Sequence, residues 1–208
     1  QDAVYIKATH GSRGEGLCRV KRNHDGTLDV LEADARHPHR FPSTDSFFQA
    51  FFPKGSAGYL IQPQINLLET EGKPLDFRVH TNKDETGKWK LTLIAVKTGN
   101  GLNPTTHHVY GGNIYVLEEI FSESKCRQIR QRLKKTALVI SEELDKEHDY
   151  QLGELGIDMA IDQVEGLWIF EVNAKPGFHL FDHPTLKEQM SDYFSYLYRY
   201  GQYLMNTD

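Results

Sequence analysis

The sequence predicts an α+β fold in which the sheets are antiparallel. Two alternating apolar runs, residues 157–162 and 167–173, flank a four-residue turn, which is the pattern of a β-hairpin. Two short strands near the start of the chain, at residues 4–7 and 17–21, flank a glycine-rich loop. Apolar residues recur at helical spacing over residues 122–148. Antiparallel strand pairs together with separate helices are typical of α+β folds.

Composition indicates a globular chain of one or two domains and argues against two classes of partner. Of 208 residues, 38% are hydrophobic and 25% are charged, which allows a sizeable core. A net charge of -5 without a basic stripe argues against nucleic-acid binding. No apolar run reaches the length of a membrane span. The two cysteines, Cys18 and Cys126, lack metal-like spacing, so we expect a reducing, cytoplasmic location.

The first strand pair encloses a loop that could hold phosphate. Gly11–Gly16 lies between the strands Val4–Lys7 and Leu17–Lys21. Glycines let backbone N–H groups turn toward phosphate oxygens, and the ammonium of Lys7 would add a point charge. This is not a Walker loop, because neither a GK[ST] motif nor a helix follows. An ordinary hairpin turn with an exposed lysine explains the same residues.

A short helix and an exit strand complete the N-terminal part. Ser43 or Thr44 is expected to cap a helix that ends near Pro53 and Gly55. Its phenylalanines are expected to lie in the core: Phe47, Phe48, Phe51 and Phe52. The run Gly58–Ile65 reads as a strand that leads out of this part of the chain.

Two further strands and a long loop follow. Leu75–Val79 alternates, so Asp76 and Arg78 share a face and could form a simple ion pair there. A turn returns the chain into a strand over residues 89–97. Residues 99–113 are rich in Gly, Asn, Thr and His, and loops longer than about 12 residues are often functional or disordered.

Two helices are expected in the C-terminal half. Over residues 122–148 the apolar positions are Ile129, Leu133, Ile140 and Leu144. Basic residues cover much of the remaining surface, most simply as a solvated face. Pro184 begins a final helix with apolar positions Leu186, Met190, Phe194, Leu197 and Leu204, ringed by tyrosines.

The hairpin between these helices places acidic residues on one face. We expect Asp162 to lie opposite Leu167, and in that register Asp158 lies opposite Glu171. Side chains alternate between faces, so Asn173 shares the face of Glu171. The other face is then an unbroken apolar stripe: Ile157, Met159, Ile161, Trp168, Phe170 and Val172.

These acidic residues have the character of a magnesium site. Like charges directly opposite each other destabilise a hairpin, and a divalent cation would reverse that penalty. Magnesium takes oxygen ligands and often keeps one or two carboxylates beside phosphate oxygens. We therefore interpret Asp158, Glu171 and Asn173 as metal ligands, the alternative being solvated charges on an exposed sheet face.

The spacing from Asp158 to Glu171-Val172-Asn173 and on to Pro176-Gly177, with Leu75–Val79 upstream, resembles a known family. It is similar to the ATP-grasp ligases and most resembles the YheC/YheD branch, which is associated with endospore coats. RimK-like glutamate ligases and glutathione synthetases are more distant relatives. The resemblance covers about residues 4–177. It implies the ATP-grasp fold: a flap subdomain at residues 1–65 and a metal-binding subdomain at residues 66–208, with antiparallel sheets that clasp ATP.

The resemblance also implies which residues bind the nucleotide. A lysine before the glycine loop and the loop itself hold phosphates in the family, which implies Lys7, Ser12 and Gly14. The exit strand is the hinge that pairs with adenine, which implies Gln62, Gln64 and Ile65. Pro63 has no N–H, so the backbone donor must be Gln64 or Ile65, and we expect Ile65.

Residues next to the phosphates follow from the same resemblance. Asp76 is expected to meet the ribose, Arg78 to reach phosphate and Lys97 to approach the terminal phosphate. The loop over residues 99–113 has His107 where RimK-like relatives often have Asn, which leaves its role and the acceptor substrate open.

The expected function is ATP- and Mg²⁺-dependent ligation of an unidentified carboxylate to an amine through an acylphosphate. Family members normally carry an N-terminal domain with another ATP-contacting lysine and much of the substrate site, and we expect that domain in a missing part of a longer chain. The alternative is an ATP-binding module that needs this domain or a partner for catalysis and has a structural, spore-coat-type role. A kinase shares the flap, but HRD and DFG-type sequences do not occur.

Overall fold

Two units, each with its own sheet, make up the described chain. The computed structural model describes residues 3–10, 16–33, 35, 37–99, 112–147 and 151–206. Unit 1 comprises Gln1–Pro74 and Thr98–Asn113, and unit 2 comprises Leu75–Lys97 and Ile114–Asp208. No helix among these described residues is long and apolar enough to cross a membrane.

Unit 1 contains an antiparallel sheet packed against a short helix. The strands are β1 (Ala3–Ala8), β2 (Cys18–Arg22), β3 (Leu28–Glu32), β4 (His39–Phe41) and β5 (Tyr59–Pro63). Their order is β4-β3-β2-β1-β5. The helix α1 (Thr44–Phe51) begins after Ser43, whose side chain accepts a hydrogen bond from the backbone N–H of Ser46. The predicted cap and short helix are confirmed.

The core of unit 1 lies between the sheet and α1. Ile6, Val20 and Val30 pack with Phe47 and Phe52 in one buried cluster. These residues occupy one face of the sheet because side chains alternate along each strand. The expectation that all four phenylalanines lie in the core is wrong for Phe48, which is 46% exposed.

A second antiparallel sheet lies mainly in unit 2, while its short strand at residues 69–70 and the first two residues of the following strand belong to unit 1. Its strands are β6 (Glu69–Thr70), β7 (Lys73–Lys83), β8 (Trp89–Thr98), β9 (Asn113–Tyr115), β10 (Glu154–Ile161) and β11 (Leu167–Asn173). The order is β11-β10-β7-β8-β9, and β6 pairs with the start of β7. The helices are α2 (Leu117–Ile120), α3 (Glu123–Glu147), α4 (Pro184–Glu188) and α5 (Met190–Met205), with a 3-10 helix at His179–Asp182.

The two faces of β7 contact different helices. Odd-numbered residues face α3, as the hydroxyl oxygens of Thr81 and Ser141 lie 2.7 Å apart. Even-numbered residues face the C-terminal helices, since the rings of His80 and Tyr193 lie 5.5 Å apart. Asp76 and Arg78 therefore share the second face, as predicted.

The helix predictions are confirmed except at the C-terminus. The helix expected over residues 122–148 is α3. Pro184 begins a helix, but this helix is interrupted at Gln189, which separates α4 from α5. In α5 the tyrosines Tyr193 and Tyr200 are buried, whereas Phe194, expected on the apolar face, is 44% exposed.

The hairpin of β10 and β11 contains a β-bulge. Asp158 lies opposite Glu171 as predicted, but Met159 lies opposite Ile169 and Ile161 opposite Leu167. The expectation that Asp162 opposes Leu167 is therefore wrong. The Asp162 carboxylate instead closes the turn by accepting hydrogen bonds from the backbone N–H groups of Val164 and Gly166, and the backbone N–H of Asp162 donates to Gly166 O at 2.9 Å.

The bulge also corrects the predicted apolar stripe. Met159 lies opposite Ile169 and Asp158 opposite Glu171, so one residue of β11, Phe170, has no partner between them and the alternation along β11 shifts by one. Trp168 lies opposite Ala160, is 41% exposed and donates its indole N–H to Asp162 Oδ2 at 2.7 Å. Trp168 thus leaves the expected stripe, while the carboxylates of Asp158 and Glu171 still face each other.

Candidate functional site

Four charged side chains form one network on the second face of the unit 2 sheet. Lys97 Nζ lies 2.9 Å from Asp76 Oδ1 and 2.9 Å from Asp158 Oδ1. Arg78 donates from Nε to Asp158 Oδ1 at 2.9 Å and from Nη2 to Asp158 Oδ2 at 2.8 Å. Asp158 therefore accepts hydrogen bonds from both cations, and its contact with Arg78 is bidentate.

Strand register explains why these residues meet. Asp158 on β10 lies directly opposite Arg78 on β7. Asp76 precedes Arg78 by two residues, so its side chain lies on the same face of the sheet. Lys97 contacts the carboxylates of Asp76 and Asp158 from the neighbouring strand β8. Asp76 pairs with Lys97, and Arg78 pairs with Asp158, so these residues take part in a larger network than the simple ion pair that the sequence left open.

Burial and charge act in opposite directions on this network. Burial raises the pKa of Asp158, but Lys97 and Arg78 lower it by more, so the pKa lies below its ordinary value. Burial likewise lowers the pKa of Lys97, and the carboxylates of Asp76 and Asp158 raise it by more. Both groups thus stay charged at neutral pH. Buried ion pairs add little net stability, and perturbed pKa values cluster at functional sites.

Glu171 and Asn173 extend the same face toward the edge of the sheet. Glu171 lies opposite Asp158, and Asn173 lies opposite Gly156. Glu171 is exposed, and among the described residues its carboxylate has no hydrogen-bond or ion-pair partner. Cβ atoms of directly opposed residues lie about 4.5–5.5 Å apart, so two carboxylates converge here.

The donor atoms fit the chemistry of magnesium. Within the described part of the chain, no group of three or more His, Cys, Asp and Glu side chains could hold a metal ion. Two carboxylates and an amide nevertheless match an ion that takes one or two carboxylates and completes its shell with water and phosphate oxygens. Asp158, Glu171 and Asn173 are the residues that would hold it.

His80 is a residue of this face that the sequence analysis missed. It follows Arg78 by two residues on β7 and lies opposite Gly156. Its side chain is fully buried, and neither ring nitrogen has a hydrogen-bond partner among the described residues. The alternation Asp76, Arg78, His80 was the available signal, because it extends the polar face by one more position.

The structure places two of the expected nucleotide-binding residues on one face of the unit 1 sheet. Lys7 on β1 lies opposite Leu60, and Tyr5 on the same strand lies opposite Gln62. Lys7, Tyr5 and Gln62 therefore face away from the core that contains Ile6 and α1. This agrees with a ligand-facing position for Lys7 and Gln62, whose roles stay predictions.

The end of β5 distinguishes between the two expected adenine donors. The backbone N–H of Gln64 donates to Ala3 O at 3.1 Å, and its side-chain Oε1 accepts from Arg19 Nε at 2.6 Å. The backbone N–H of Ile65 has no such partner within the described chain. Ile65 thus keeps the free donor that the hinge prediction requires. Ser12, Gly14 and His107 lie outside the described residues.

Comparison with known proteins identifies relatives over nearly the whole chain. A family model described as "YheC/D like ATP-grasp" matches residues 1–204. Endospore coat-associated protein YheD of Bacillus subtilis (strain 168) is 38% identical over 209 residues, which cover 93% of this chain and 45% of YheD. Endospore coat-associated protein YheC of the same strain is 25% identical over 198 residues, which cover 91% of this chain and 54% of YheC. The chain thus spans about half the length of these relatives.

Two similar solved structures are N5-carboxyaminoimidazole ribonucleotide synthetases. That from Thermotoga maritima has a TM-score of 0.44 and 12% identity, covering 85% of this chain and 33% of its own. The ADP complex of purK has a TM-score of 0.42 and 14% identity, covering 85% and 35%. Both TM-scores are too low to support a conclusion about this chain.

Proposed function

The chain belongs to the YheC/D-like ATP-grasp family, and from that premise we propose that it binds Mg²⁺-ATP for the ligation of a carboxylate to an amine. The observation that carries this proposal is the network of Asp76, Arg78, Lys97 and Asp158. It connects two cations suited to phosphate oxygens with the carboxylate suited to a metal ion.

Ligand binding would exchange the partners within the network. Arg78 and Lys97 would turn from Asp158 to the terminal phosphate. Asp158, together with Glu171 and Asn173, would hold Mg²⁺, which supplies charge neutralisation on the phosphate oxygens when it is bound. Neither half of the network is left unpaired by this exchange, whereas binding only one ligand leaves buried charges uncompensated.

In the proposed reaction a carboxylate oxygen of the substrate attacks the γ-phosphorus of ATP. The bond from that phosphorus to the bridging oxygen breaks, and ADP leaves with the electron pair. An amine then attacks the acyl carbon, loses a proton to solvent, and displaces phosphate with the electrons of the C–O bond. Arg78 and Lys97 would stabilise charge on the phosphoryl group, so no side-chain nucleophile is needed.

The residues of unit 1 would bind the rest of the nucleotide. Lys7, with Ser12 and Gly14 of the glycine loop, would contact phosphates. The free N–H of Ile65, flanked by Gln62 and Gln64, would donate to the adenine edge. In unit 2, Asp76 is buried against Lys97, which supports a part in holding that lysine, and its ribose contact stays a proposal.

A second candidate is an ATP-binding module that needs a further domain or a partner to complete catalysis. It is favoured by the fact that the chain spans only 45% of YheD, a protein described as endospore coat-associated. ATP binding needs the network and the hinge, whereas ligation also needs a precisely oriented acceptor, which contributes much of the rate. We favour binding with slow or no turnover by this chain alone, and ligation only together with a further domain or a partner.

The test combines calorimetry with a turnover assay. Isothermal titration should detect Mg²⁺-ATP binding to the 208-residue chain. Release of ADP and phosphate is then measured with and without a panel of amino acids and peptides as carboxylates and amines. Binding without substrate-dependent release supports the module, and robust release makes this chain a self-sufficient ligase. Absence of Mg²⁺-ATP binding would refute both candidates.

A further inference from the structure

His80 is a buried polar group whose ring nitrogens have no hydrogen-bond partner among the described residues. Its ring has no solvent exposure, and both Nδ1 and Nε2 lack hydrogen bonds to the described residues. Leaving a buried polar atom unpaired is costly, and an apolar side chain of similar size would avoid that cost. We therefore expect the histidine to gain a hydrogen-bond partner in another conformation of the site.

Gly156 shows which partner is within reach. A Cβ atom added to Gly156 would lie 3.1 Å from Arg78 Nη1, 3.4 Å from His80 Nε2 and 2.6 Å from Pro176 Cβ. These three atoms thus converge on the space that a side chain at position 156 would fill. Glycine is needed there so that the guanidinium and the imidazole can approach the same point above β10.

The nitrogen of Arg78 near Gly156 is Nη1, which takes no part in the bidentate contact with Asp158. Nε and Nη2 donate to Asp158, which leaves Nη1 on the side of His80. Burial, followed by the charge of Arg78, lowers the pKa of His80 to about 3. The imidazole is therefore neutral at physiological pH, and a neutral imidazole has one nitrogen that accepts a hydrogen bond.

We propose that His80 is a positioning residue for Arg78. When Arg78 releases Asp158 to contact the triphosphate, His80 Nε2 accepts a hydrogen bond from Arg78 Nη1 and keeps the guanidinium aimed at the phosphate. A neutral acceptor suits this task, because a second carboxylate would compete with phosphate for the arginine. The inference rests on the proposed binding of Mg²⁺-ATP and adds a residue that this function alone does not require.

The first variant separates positioning from packing. His80→Leu removes both unpaired nitrogens at similar volume, so the stability of the nucleotide-free chain should be unchanged or higher. Its affinity for Mg²⁺-ATP, measured by calorimetry, should fall by roughly tenfold, which is the value of one hydrogen bond to a charged group. Wild-type affinity in a folded His80→Leu variant would overturn the proposal.

Two further variants identify the nitrogen and remain decisive if His80→Leu fails to fold. The side-chain amide of Gln lies near the position of histidine Nε2, and that of Asn lies near Nδ1. His80→Gln should therefore retain most of the Mg²⁺-ATP affinity, and His80→Asn should lose it. Equal affinities of the two variants would overturn the assignment to Nε2.

A packing control comes from the preceding residue. Val79 is fully buried on the opposite face of β7, so Val79→Ala should lower stability without changing Mg²⁺-ATP affinity. Failure of the wild-type chain to bind Mg²⁺-ATP would refute the proposed function and this inference together. Wild-type binding combined with unchanged affinity in the His80 variants would refute the inference alone.

Discussion

Unit 2 contains two buried lysine networks, and they differ in the polar groups that border them. Lys83 Nζ lies 2.7 Å from Asp145 Oδ1 and 3.3 Å from Tyr200 Oη, with the rings of Trp89 and Tyr200 centred 5.3 and 5.2 Å away. One cation thus meets one carboxylate within an aromatic enclosure. This network joins β7 to α3 and α5, and we interpret it as structural.

The Lys97 network is also balanced in charge, with two cations and two carboxylates, but further polar groups lie beside it. These are the exposed Glu171 and the buried His80, and neither side chain has a hydrogen-bond or ion-pair partner among the described residues. Neither group is needed for folding, because burial of the unpaired His80 costs desolvation and the carboxylate of Glu171 lies opposite the like charge of Asp158. Unmatched groups beside a buried ion pair, rather than the pair itself, therefore indicate a binding site.

Removing each lysine in turn should give the largest effects and separate the two networks. Lys97→Met leaves Asp76 and Asp158 less compensated, so the free energy of unfolding should fall by about 3–5 kcal/mol and Mg²⁺-ATP affinity by roughly 100-fold. Lys83→Met should also lower stability but leave affinity unchanged. Urea unfolding and calorimetry check both, and a loss of affinity in Lys83→Met would break the distinction.

The pH dependence of stability should carry the signature of His80. Its pKa is lowered from 6.5 to about 3 in the folded chain, so between these values only the unfolded chain binds the proton. The free energy of unfolding should therefore decrease as pH falls below about 6.5, by up to about 1.4 kcal/mol per pH unit.

Two variants test whether His80 causes this pH dependence of the free energy of unfolding. The groups around His80 are Arg78, Asp158, His179 and Tyr193, and Asp158 keeps its charge until the pH falls below its own lowered pKa. His80→Leu should flatten the decline measured by urea unfolding between about pH 5 and about pH 7, whereas Lys83→Met should retain it. Identical slopes in wild type and His80→Leu would contradict the buried neutral imidazole.

Two glycine substitutions should change the free energy of unfolding in opposite directions. In Gly156→Ala the new Cβ would lie 2.6 Å from Pro176 Cβ and 3.1 Å from Arg78 Nη1, so we expect a loss of about 1–3 kcal/mol and weaker Mg²⁺-ATP binding. Gly201 lies in α5 with no atom within 4 Å of its added Cβ, so Gly201→Ala should gain up to about 1 kcal/mol from helix propensity. Thermal unfolding measures both, and a stabilised Gly156→Ala would contradict the close approach of Arg78.

The smallest effect is expected from the exposed carboxylate. Glu171→Gln should lower Mg²⁺-ATP affinity by about tenfold with little change in stability, because a neutral amide is a weaker magnesium ligand. Glu165, in the turn of the same hairpin, is held by Lys125 and Arg132, so Glu165→Gln should leave affinity unchanged. Equal affinities of Glu171→Gln and wild type would remove Glu171 from the metal site.

The sequence predicted most elements because their patterns are local. The Ser43 cap, the long helix α3 and the strands that carry Asp76, Arg78 and Lys97 follow from spacing and capping residues. The exact register of the hairpin could not be predicted, since a bulge at Phe170 shifts the pairing by one residue and no local residue pattern marks it. The opposition of Asp158 and Glu171 was nevertheless correct, because the bulge lies between them and the turn.

The sequence by itself determined which chemical groups are available on one sheet face: Asp76 and Arg78 on one strand, and Asp158, Glu171 and Asn173 on a hairpin. Alternation along a strand is a local property, so it can be read from residue order. The tertiary structure was needed to show that Arg78 pairs with Asp158, which lies 80 positions later in the sequence. It was also needed to show that Gly156 leaves room for His80 beside that arginine. Partners across strands depend on which strands are neighbours, and that order follows from packing the whole chain.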